Sequence, residues 1–282
     1  MFTLKIENAN GEIFELTHNT QNYAVIGVQG LTYPPTVVNT STGGAVDGTF
    51  FNSSRVEQRN IVIEIIINGN IETNRQQLYR IFSIKKPCTV YFSNKNRSVQ
   101  IQGYIEVLDG DLFVQREQVQ ISIICPRPYF EDLQTIYTEL SQVVRMFEFP
   151  FMIETPIPFS EIVDYPLCTV NNNGDVDAGC IIRVEINDNV TGLKIYNVTT
   201  QTFIGFDYSF QQGDEITINT ISGQMKTTLN RNGQVINILN YLSAGSTWFK
   251  LPPGNNDFTY STTEGSEAVT IIFATAALYG GV

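Results

Sequence analysis

The chain is poor in histidine, tryptophan and cysteine: its 282 residues include one His, one Trp and four Cys. A zinc site needs several nitrogen or sulfur ligands, and a Ser-His-Asp triad needs an imidazole beside its serine. A single histidine therefore argues against both kinds of site. We expect His18 to be a solvated surface residue near a turn.

The cysteines form no C-x-x-C pair, and four are too few for a disulfide scaffold in a chain of this length. Free cysteine is among the most buried residue types. We interpret the four as small apolar core residues of a protein that folds in a reducing cytosol. They are Cys88, Cys125, Cys168 and Cys180.

Charged residues make up only 16% of the chain, and the acidic excess is unevenly distributed. Residues 1–134 contain 11 Lys and Arg against 13 Asp and Glu, whereas residues 135–282 contain 6 against 15. An acidic half repels a phosphate backbone, and the sequence has no lysine-rich run. We therefore predict no sequence-specific binding of nucleic acid.

No apolar run approaches the length of about 18 residues that suggests a membrane-spanning helix. The first residues, M-F-T-L-K-I-E-N, contain no apolar segment of the kind found in signal peptides. We expect no membrane span and no secretion signal. Ile, Val, Thr, Tyr and Phe are abundant and are interrupted by Asn and Gly, which is typical of β-structure. The length exceeds that of the commonest single-core domain, so we predict a mainly β protein with two domains.

The first half is organised around residues 59–68, R-N-I-V-I-E-I-I-I-N. Isoleucines fall at every second position and the intervening face is also mostly apolar, which predicts a strand buried largely on both faces. After Asn68-Gly69, Thr73 and Gln76 predict a helix that begins with a capping box, and Pro87 is expected to stop it. The expected apolar stripe of this helix comprises Leu78, Tyr79, Ile81 and Phe82.

Further strands are predicted on both sides of this segment. Residues 39–54 are polar and contain glycine, so we expect an exposed, mobile loop there. Its Thr42-Gly43-Gly44 lacks the G-K-[ST] ending of a phosphate-binding loop. The predicted strands are 2–7 and 12–16, paired as a hairpin, with 23–40, 88–92, 98–108 and 112–125.

The second half has the pattern of a β-sandwich, with short strands at regular spacing. Two segments precede it. Residues 133–146 fit a short helix. The proline motifs F-P-F at 149–151 and P-I-P-F at 156–159 exclude a regular helix or a central strand there. The predicted strands are 168–171, 180–186, 192–198, 201–208, 215–219, 224–230, 249–251, 257–262 and 268–279.

The acidic residues of the second half have two possible chemical uses. Asn171, Asn173, Asp175 and Asp177 are spaced by two as in a calcium loop, but the glycine and the distant Glu of an EF-hand are missing, so an ordinary turn is preferred. Glycosidases need only two carboxylates, yet the carboxylates here mostly lie in turn motifs. We predict no catalytic residue, no metal site and no cofactor.

Trp248 is the one candidate for carbohydrate binding. Placed at the edge of a predicted strand, its ring could stack on a sugar. The alternative interpretation is a buried anchor for the Leu251-Pro252-Pro253 turn, since large apolar side chains are mostly buried.

Several motifs together resemble the distal tail protein (Dit) family of long-tailed phages. In the first half they are the D-G turn at 47–48, Arg55 and Arg59, the alternating isoleucines, and R-x-x-L-x-x-x-F at 75–82. The C-P-x-P-Y-F junction spans 125–130. In the second half they are N-x-G-D, G-D-x-I-x-I-N-T-x-x-G, N-G, W-F-x-L-P-P-G-N-N and a final T-I-I-F.

The resemblance implies a belt domain that forms a ring and carries one α-helix (residues 1–134), an extended linker (135–167) and a galectin-like antiparallel β-sandwich (168–282). It implies a virion structural protein at the tail tip, assembled in the host cytoplasm as a homo-hexamer. This hub would join the tail tube protein to a tail-associated (Tal-like) protein and to receptor-binding or baseplate proteins, and DNA would pass through its lumen. Two other functions stay open. The second hypothesis is a tail component that binds cell-wall saccharides, and the third is a tail-associated glycosidase.

Overall fold

The computed structural model describes residues 2–17, 21–44, 47–111, 114, 116–141, 143–145, 160–162 and 166–282. The chain divides into two compact units: Met1–Leu133 together with Leu278–Val282, and Gln134–Ala277. The regular structure of the described residues is antiparallel β with one α-helix. The prediction of a mainly β fold in two β units is confirmed.

The first unit consists of strands and the helix α1, and strand β10 begins at its end. In chain order the elements are β1 (Thr3–Glu7), β2 (Ile13–Leu16), β3 (Tyr23–Gln29), β4 (Thr36–Ser41), β5 (Phe50–Val56), β6 (Arg59–Ile67), α1 (Ile71–Ile81), β7 (Pro87–Ser93), β8 (Ser98–Gly110), β9 (Gln118–Cys125) and β10 (Phe130–Ser141). Seven strands pair antiparallel in the order β2-β1-β7-β8-β9-β6-β3. The predicted opening hairpin is confirmed by the β1–β2 pairing.

Strand β6 is the second strand from one end of this sheet, between β9 and β3. The alternating isoleucines all point to the core, with Ile61, Ile63 and Ile65 fully buried and Ile67 nearly so. The other face is half-buried at Val62, Glu64 and Ile66 and exposed at Asn60. The predicted strand is therefore confirmed. The prediction that both of its faces are buried is correct for the isoleucine face and wrong for the other face.

The helix begins earlier than predicted. Asn70 is its N-cap, and the Asn70 side chain accepts a hydrogen bond from the backbone N–H of Thr73. Thr73 is thus already inside the helix, and the predicted capping box with Gln76 is wrong. Asparagine directly after the Asn68-Gly69 turn satisfies the first turn of the helix without help from a later residue.

The end of the helix also differs from the prediction. The backbone N–H of Phe82 donates to the carbonyl of Leu78, and the helix ends at Ile81. Pro87 does not stop it; Pro87 is the first residue of β7, a strand position that tolerates a missing N–H. Tyr79 is half-exposed rather than part of the buried stripe, because it lies about 100° around the helix from Leu78.

The predicted helix over residues 133–146 is wrong where the structure describes this segment. Residues up to Ser141 continue strand β10, and Val143–Arg145 form a short strand. The run Thr135-Ile136-Tyr137-Thr138 explains the outcome, since β-branched and aromatic side chains favour strands. Met146 and the F-P-F motif lie outside the described residues.

Arg59, the first residue of β6, is the largest fully buried side chain of the chain's described part, at 1% exposure. Its guanidinium donates four hydrogen bonds of 2.5–2.6 Å to four backbone carbonyls and stacks over a phenyl ring at 4.3 Å. Burial lowers the pKa of Arg59 to about 10, so the group is still charged at neutral pH. The carbonyls belong to Gly30, Thr32, Pro128 and Gly280, and the ring is that of Phe130.

Arg97 also binds the segment that contains Gly280, through the next residue of that segment. Its guanidinium donates to the carbonyl of Gly281 at 2.7 Å and lies 4.2 Å from the ring centre of Tyr279. The Tyr279 hydroxyl in turn donates to Asp132 at 3.0 Å. The backbone N–H of Val282 donates to the carbonyl of Leu31. Residues 278–282 are thus an integral part of the first unit, although they follow the whole second unit in sequence.

The second unit contains the remaining strands. They are β11 (Val143–Arg145), β12 (Ser160–Ile162), β13 (Cys168–Asn172), β14 (Cys180–Ile186), β15 (Val190–Thr191), β16 (Lys194–Asn197), β17 (Thr202–Gly205), β18 (Ser209–Phe210), β19 (Glu215–Asn219), β20 (Lys226–Arg231), β21 (Gln234–Asn237), β22 (Gly254–Ser261) and β23 (Val269–Tyr279). Short 3-10 helices span Leu239–Tyr241 and Ser266–Ala268.

Two antiparallel sheets form the sandwich, in the orders β13-β22-β16-β17 and β23-β14-β19-β20-β21. Their inner faces enclose one hydrophobic core. The core includes Val170, Ile182, Val184, Ile195, Phe206, Ile218, Phe258 and Phe273.

Three details of the predicted sandwich are wrong. Residues 249–251 are not a strand, since Leu251 makes only an isolated bridge to Ala178. Residues 254–256, expected in a turn, begin β22. Strand β21 was not predicted, although its Asn232-Gly233 turn was. Both turn residues have positive φ, as a two-residue hairpin requires.

The cysteines are free thiols, and three of the four are buried, which confirms the core interpretation for those three. Burial raises the pKa of Cys88 to about 11 and that of Cys125, Cys168 and Cys180 to about 12. Cys168 is only half-buried, and nearby Asp257 contributes to its shift. The thiols are therefore neutral at the pH at which the protein folds.

We expect Arg59→Met to destabilise the chain by about 3–5 kcal/mol, because it leaves four buried carbonyls without their charged donor. Urea unfolding followed by far-UV circular dichroism measures the change, because Trp248, the one tryptophan, lies in the second unit. Arg55→Met is the matched control: Arg55 is largely exposed, pairs only with Glu57, and its loss should cost less than about 0.5 kcal/mol. Equal midpoints for the two variants would contradict the role assigned to Arg59.

Candidate assembly surfaces

Strands β4 and β5 form a hairpin on which every residue is exposed. The two strands pair with each other from Thr36↔Val56 to Ser41↔Phe50. The register shifts once, after Asn39, so Asn52 is the extra residue of a β-bulge. Neither strand pairs with another described strand. The hairpin is therefore a two-stranded ribbon that stands apart from the sheet.

The two faces of this hairpin differ in chemistry. On one face the register brings together Val38, Phe51 and Val56 with small hydroxyl residues, and this face has no charge. Phe51 is 66% exposed, although it is among the largest apolar side chains. The other face carries Arg55 together with the exposed Val37 and Phe50, and a hydrogen bond from the Asn39 amide to the Ser53 hydroxyl at 3.0 Å. The uncharged face is the one suited to burial against another protein.

A two-stranded hairpin without further support is marginally stable in water. Contiguous exposed apolar side chains on a soluble chain mark a surface that binds a protein or a membrane. The β4–β5 hairpin has both features: it is a two-stranded ribbon without further support, and it exposes neighbouring apolar side chains. Exposure of residues 39–54 was predicted and is confirmed in the described residues, but the predicted loop is largely paired β-structure; Ala45 and Val46 lie outside the description.

A second surface of the first unit is acidic. Strands β6, β8 and β9 line a shallow cleft with Glu64, Asp109 and Asp111 at its margin. Gln118 and Gln120 complete the polar lining, and no Lys or Arg belongs to it among the described residues. Such a surface repels phosphate groups.

Trp248 does not stand free on the sandwich surface. It is half-buried and packs against the hydrophobic core, and its neighbour Phe249 is almost fully buried. Its use in carbohydrate binding stays a prediction.

Sequence reasoning missed another aromatic pair, on the outer face of the four-stranded sheet. Tyr196 and Phe203 lie opposite each other on β16 and β17, with ring centres 5.7 Å apart. The ammonium group of Lys194 is 5.6 Å from the Phe203 ring centre. Their alternation with Ile195 and Ile204, which are buried, is the sequence signal that places both rings on the outside.

Of the residues with calcium-loop spacing, Asn171 makes a sheet contact: its side-chain amide donates to the Asn255 side chain. The neighbouring Asn172 holds the turn, since its side chain accepts from the N–H of Gly174. Among the described residues, no group of three or more His, Cys, Asp or Glu side chains could hold a metal ion. His18 lies outside them. No described helix is long and apolar enough to cross a membrane.

Two family models match the chain. Residues 10–125 match the model of the phage tail protein RIFT-related domain, and residues 173–276 match the C-terminal domain of the siphovirus-type tail component. The two matches fall in the first and second units respectively and together cover well over half of the sequence. A comparison with curated proteins gives no match.

Solved structures share the fold. The crystal structure of the Dit protein of phage SPP1, described as a paradigm of the hub adsorption apparatus in phages that infect Gram-positive bacteria, has a TM-score of 0.70 at 16% identity and covers 97% of this chain and 98% of that one. A chain of the phage P2 baseplate in its calcium-activated conformation has a TM-score of 0.52 at 11% identity, with full coverage of both chains.

The family matches cover both units, and the shared fold extends over nearly the whole chain. The motifs that suggested the resemblance lie in the same segments. The chain therefore belongs to the distal tail protein family of siphoviruses and is a component of the phage tail.

Proposed function

We propose that this chain is the hub that joins the end of the tail tube to the host-adsorption device, through a hexameric ring formed by its first domain. Assembly takes place in the host cytoplasm, and the mature protein resides at the tail tip. Its partners are the tail tube protein, a Tal-like protein and receptor-binding or baseplate proteins. Its structural relatives, a hub protein and a chain of a baseplate, support this proposal.

The β4–β5 hairpin carries the proposal. Its uncharged face, with Val38, Phe51 and Val56, is exposed in the single chain. In a cyclic ring each copy uses one surface to contact a different surface of the next, so six identical hairpins are all covered. A neighbouring copy thus buries the uncharged face of the hairpin, which is exposed in a single chain. The contact also holds the hairpin in one conformation.

The acidic cleft fits a ring through which DNA passes. Glu64, Asp109 and Asp111 present carboxylates without an adjacent described cation. A wall of this sign does not retain the phosphate backbone. We place this face of the sheet toward the lumen.

The proposed role requires no catalysis. A buried carboxylate of the second unit, Asp214, holds a turn. Its side chain accepts from the backbone N–H of Gln211 and forms an ion pair with Arg231. Burial raises the pKa of Asp214, but the hydrogen bonds from Arg231 and Gln211 outweigh this effect and lower it. The carboxylate stays ionised, unlike the protonated acid that a glycosidase needs.

We expect the full-length chain to have six times the 31.6 kDa mass of one copy in light scattering. Replacing both Val38 and Phe51 by Ser removes two apolar side chains from each contact. The substitution should weaken each contact by about 3 kcal/mol, more than about a hundredfold, and give lower masses on dilution.

Val198→Ser is the control for this experiment, because Val198 is a similarly exposed apolar residue of the second unit. It should leave the hexamer unchanged. Circular dichroism must show that the double variant retains its β-structure. A double variant that dilutes like the wild type would exclude the hairpin as the ring contact, and a wild type that remains monomeric would contradict a ring that forms without a template.

Carbohydrate binding by the second unit is the second candidate function. The observation that favours it is the outer face with Tyr196 and Phe203, next to a hydrogen-bonded pair of Thr169 and Asp257 on the same sheet. An aromatic ring beside polar side chains is the combination that binds sugars by stacking and hydrogen bonding.

A glycan array of Gram-positive cell-wall saccharides, probed with the full-length chain, tests this candidate. An affinity that falls at least tenfold in Tyr196→Ala but is unchanged in Trp248→Phe would assign saccharide binding to the outer face. The loss of one stacked ring, about 1–3 kcal/mol, corresponds to a fall in affinity of about 5- to 150-fold. A blank array would leave the structural hub as the function of the second unit.

A further inference from the structure

The β4–β5 hairpin is attached to the rest of the first unit through a narrow neck, residues 30–35 and 57–59. Below the first strand pair, Thr36↔Val56, the backbone N–H of Glu57 donates to the carbonyl of Pro35 at 2.9 Å. Every residue of the two strands is exposed, and neither strand pairs with another described strand. The direction in which the hairpin points is therefore set at its neck.

Arg59 joins the two sides of this neck. Its guanidinium donates to the carbonyls of Gly30 and Thr32, which precede β4, whereas Arg59 itself follows β5. Pro34 and Pro35 lead from this joint to β4, and Pro34 is buried. Because both prolines have a φ fixed near about −65°, the position of the joint determines where and in which direction β4 begins.

Residues 279–282, which we call the strap, lie against the neck. The backbone N–H of Val282 donates to the carbonyl of Leu31 at 3.1 Å. A Cβ on Gly280 would lie 2.1 Å from the ring of Tyr33, so this ring lies directly against the strap backbone. The carbonyl of Gly280 also accepts a hydrogen bond of 2.6 Å from the arginine of the neck. The strap therefore contacts the neck at three positions.

Two further contacts hold the strap from outside the neck. The Arg97 guanidinium donates to the carbonyl of Gly281 at 2.7 Å and lies 4.2 Å from the ring centre of Tyr279. The Tyr279 hydroxyl donates to Asp132 at 3.0 Å. Arg97 lies in the turn between β7 and β8, so it links that turn to the neck through the strap.

A small movement at the neck becomes a large change in the direction of the hairpin. Paired strands lie about 4.8 Å apart, so a slip of about 1 Å of one side of the neck against the other tilts the hairpin by about 10°. In a cyclic ring of six, each contact turns the next copy by about 60°. A tilt of about 10° at every contact adds up to about one whole copy, which favours rings of about five or seven copies or chains that do not close.

We propose that the strap and Arg97 are positioning elements of ring assembly, which hold the hairpin neck in the orientation that closes a ring of six. The uncharged face of the hairpin supplies the contact between copies, and the strap determines the angle of that contact. The inference rests on the proposed hub function. It assigns the number of copies in the ring to residues other than those of the hairpin face.

Arg97→Met tests the proposal because it removes one anchor of the strap and leaves the sequence of the neck and the hairpin unchanged. Lys95→Met is the matched control, since it removes one positive charge from an exposed residue of the same turn. Native mass spectrometry and light scattering of the full-length chains measure the copy number. We expect a single species of six copies for the wild type and the control. Arg97→Met should lose this single species and give a mixture of copy numbers, because the hairpin face is intact but its angle is not fixed.

Amide hydrogen exchange measures the hold on the neck directly. It is followed by mass spectrometry in chains that also carry the double serine substitution of the hairpin face, so that ring contacts do not protect the neck. We expect the amides of Glu57 and Val282 to exchange at least about tenfold faster in Arg97→Met than in Lys95→Met. The amide of Ile67, at the other end of β6, serves as the internal reference.

Three outcomes would overturn the proposal. Equal exchange in the two variants would show that the strap does not hold the neck. Faster exchange in Arg97→Met with rings of six copies only would show that the neck does not set the copy number. A mixture of copy numbers from Lys95→Met as well would assign the effect to the lost charge.

Failure of the proposed hub function is recognised separately, because it shows as a wild type that stays monomeric before any variant is made. Far-UV circular dichroism checks that Arg97→Met keeps its β-structure. If that variant unfolds, Tyr279→Phe takes its place, since it loses the hydrogen bond to Asp132 and keeps the ring beside Arg97. The same mixture of copy numbers is expected from Tyr279→Phe, and rings of six copies alone would contradict the proposal.

Discussion

The buried guanidinium of Arg59 is the interaction on which the first unit depends. It is compensated by four carbonyl dipoles and an aromatic ring rather than by a carboxylate. The four carbonyls come from segments far apart in sequence, up to Gly280. Gly30 can supply one of them because it has a positive φ and its Cα lies against the Asn60 carbonyl, where a Cβ would clash. One side chain thus fixes the end of β3, the junction after β9 and the C-terminal residues together.

This arrangement constrains how the chain folds. Gly280 and Gly281 are synthesised only after the entire second unit, so the hydrogen bonds that Arg59 and Arg97 donate to them cannot form earlier. Until then Arg59 lacks one of its acceptors. The charge is costly to bury without its full set of partners, which favours a first unit that becomes rigid only once residue 280 is in place. A fragment that ends at residue 134 omits these contacts and is a poor substitute for the full chain.

Strand identity was largely predictable from sequence, because alternation of apolar residues reports a buried face directly. The isoleucines of β6 and the sequence from Cys180 to Ile186 are examples. What failed depends on contacts that periodicity does not encode. Asn70 rather than Thr73 is the N-cap of the helix because its side chain accepts one hydrogen bond from the Thr73 N–H. The apolar pattern of residues 133–141 is compatible with both a helix and a strand, and the segment forms a strand. The role of Arg59 was hidden because all its acceptors are backbone atoms, which leave no sequence signature.

Two exposed surfaces share one physical property: each has backbone or apolar groups that the single chain does not satisfy. The hairpin lacks cover on the face of Phe51, and β21 pairs on one side only among the described strands. A hairpin can contact a different surface of an identical copy, so it serves self-assembly. An exposed edge strand can accept a strand from a different surface of an identical copy or from a different chain. A hub that must bind both its own copies and other proteins requires more than one such surface, and this chain has one in each unit.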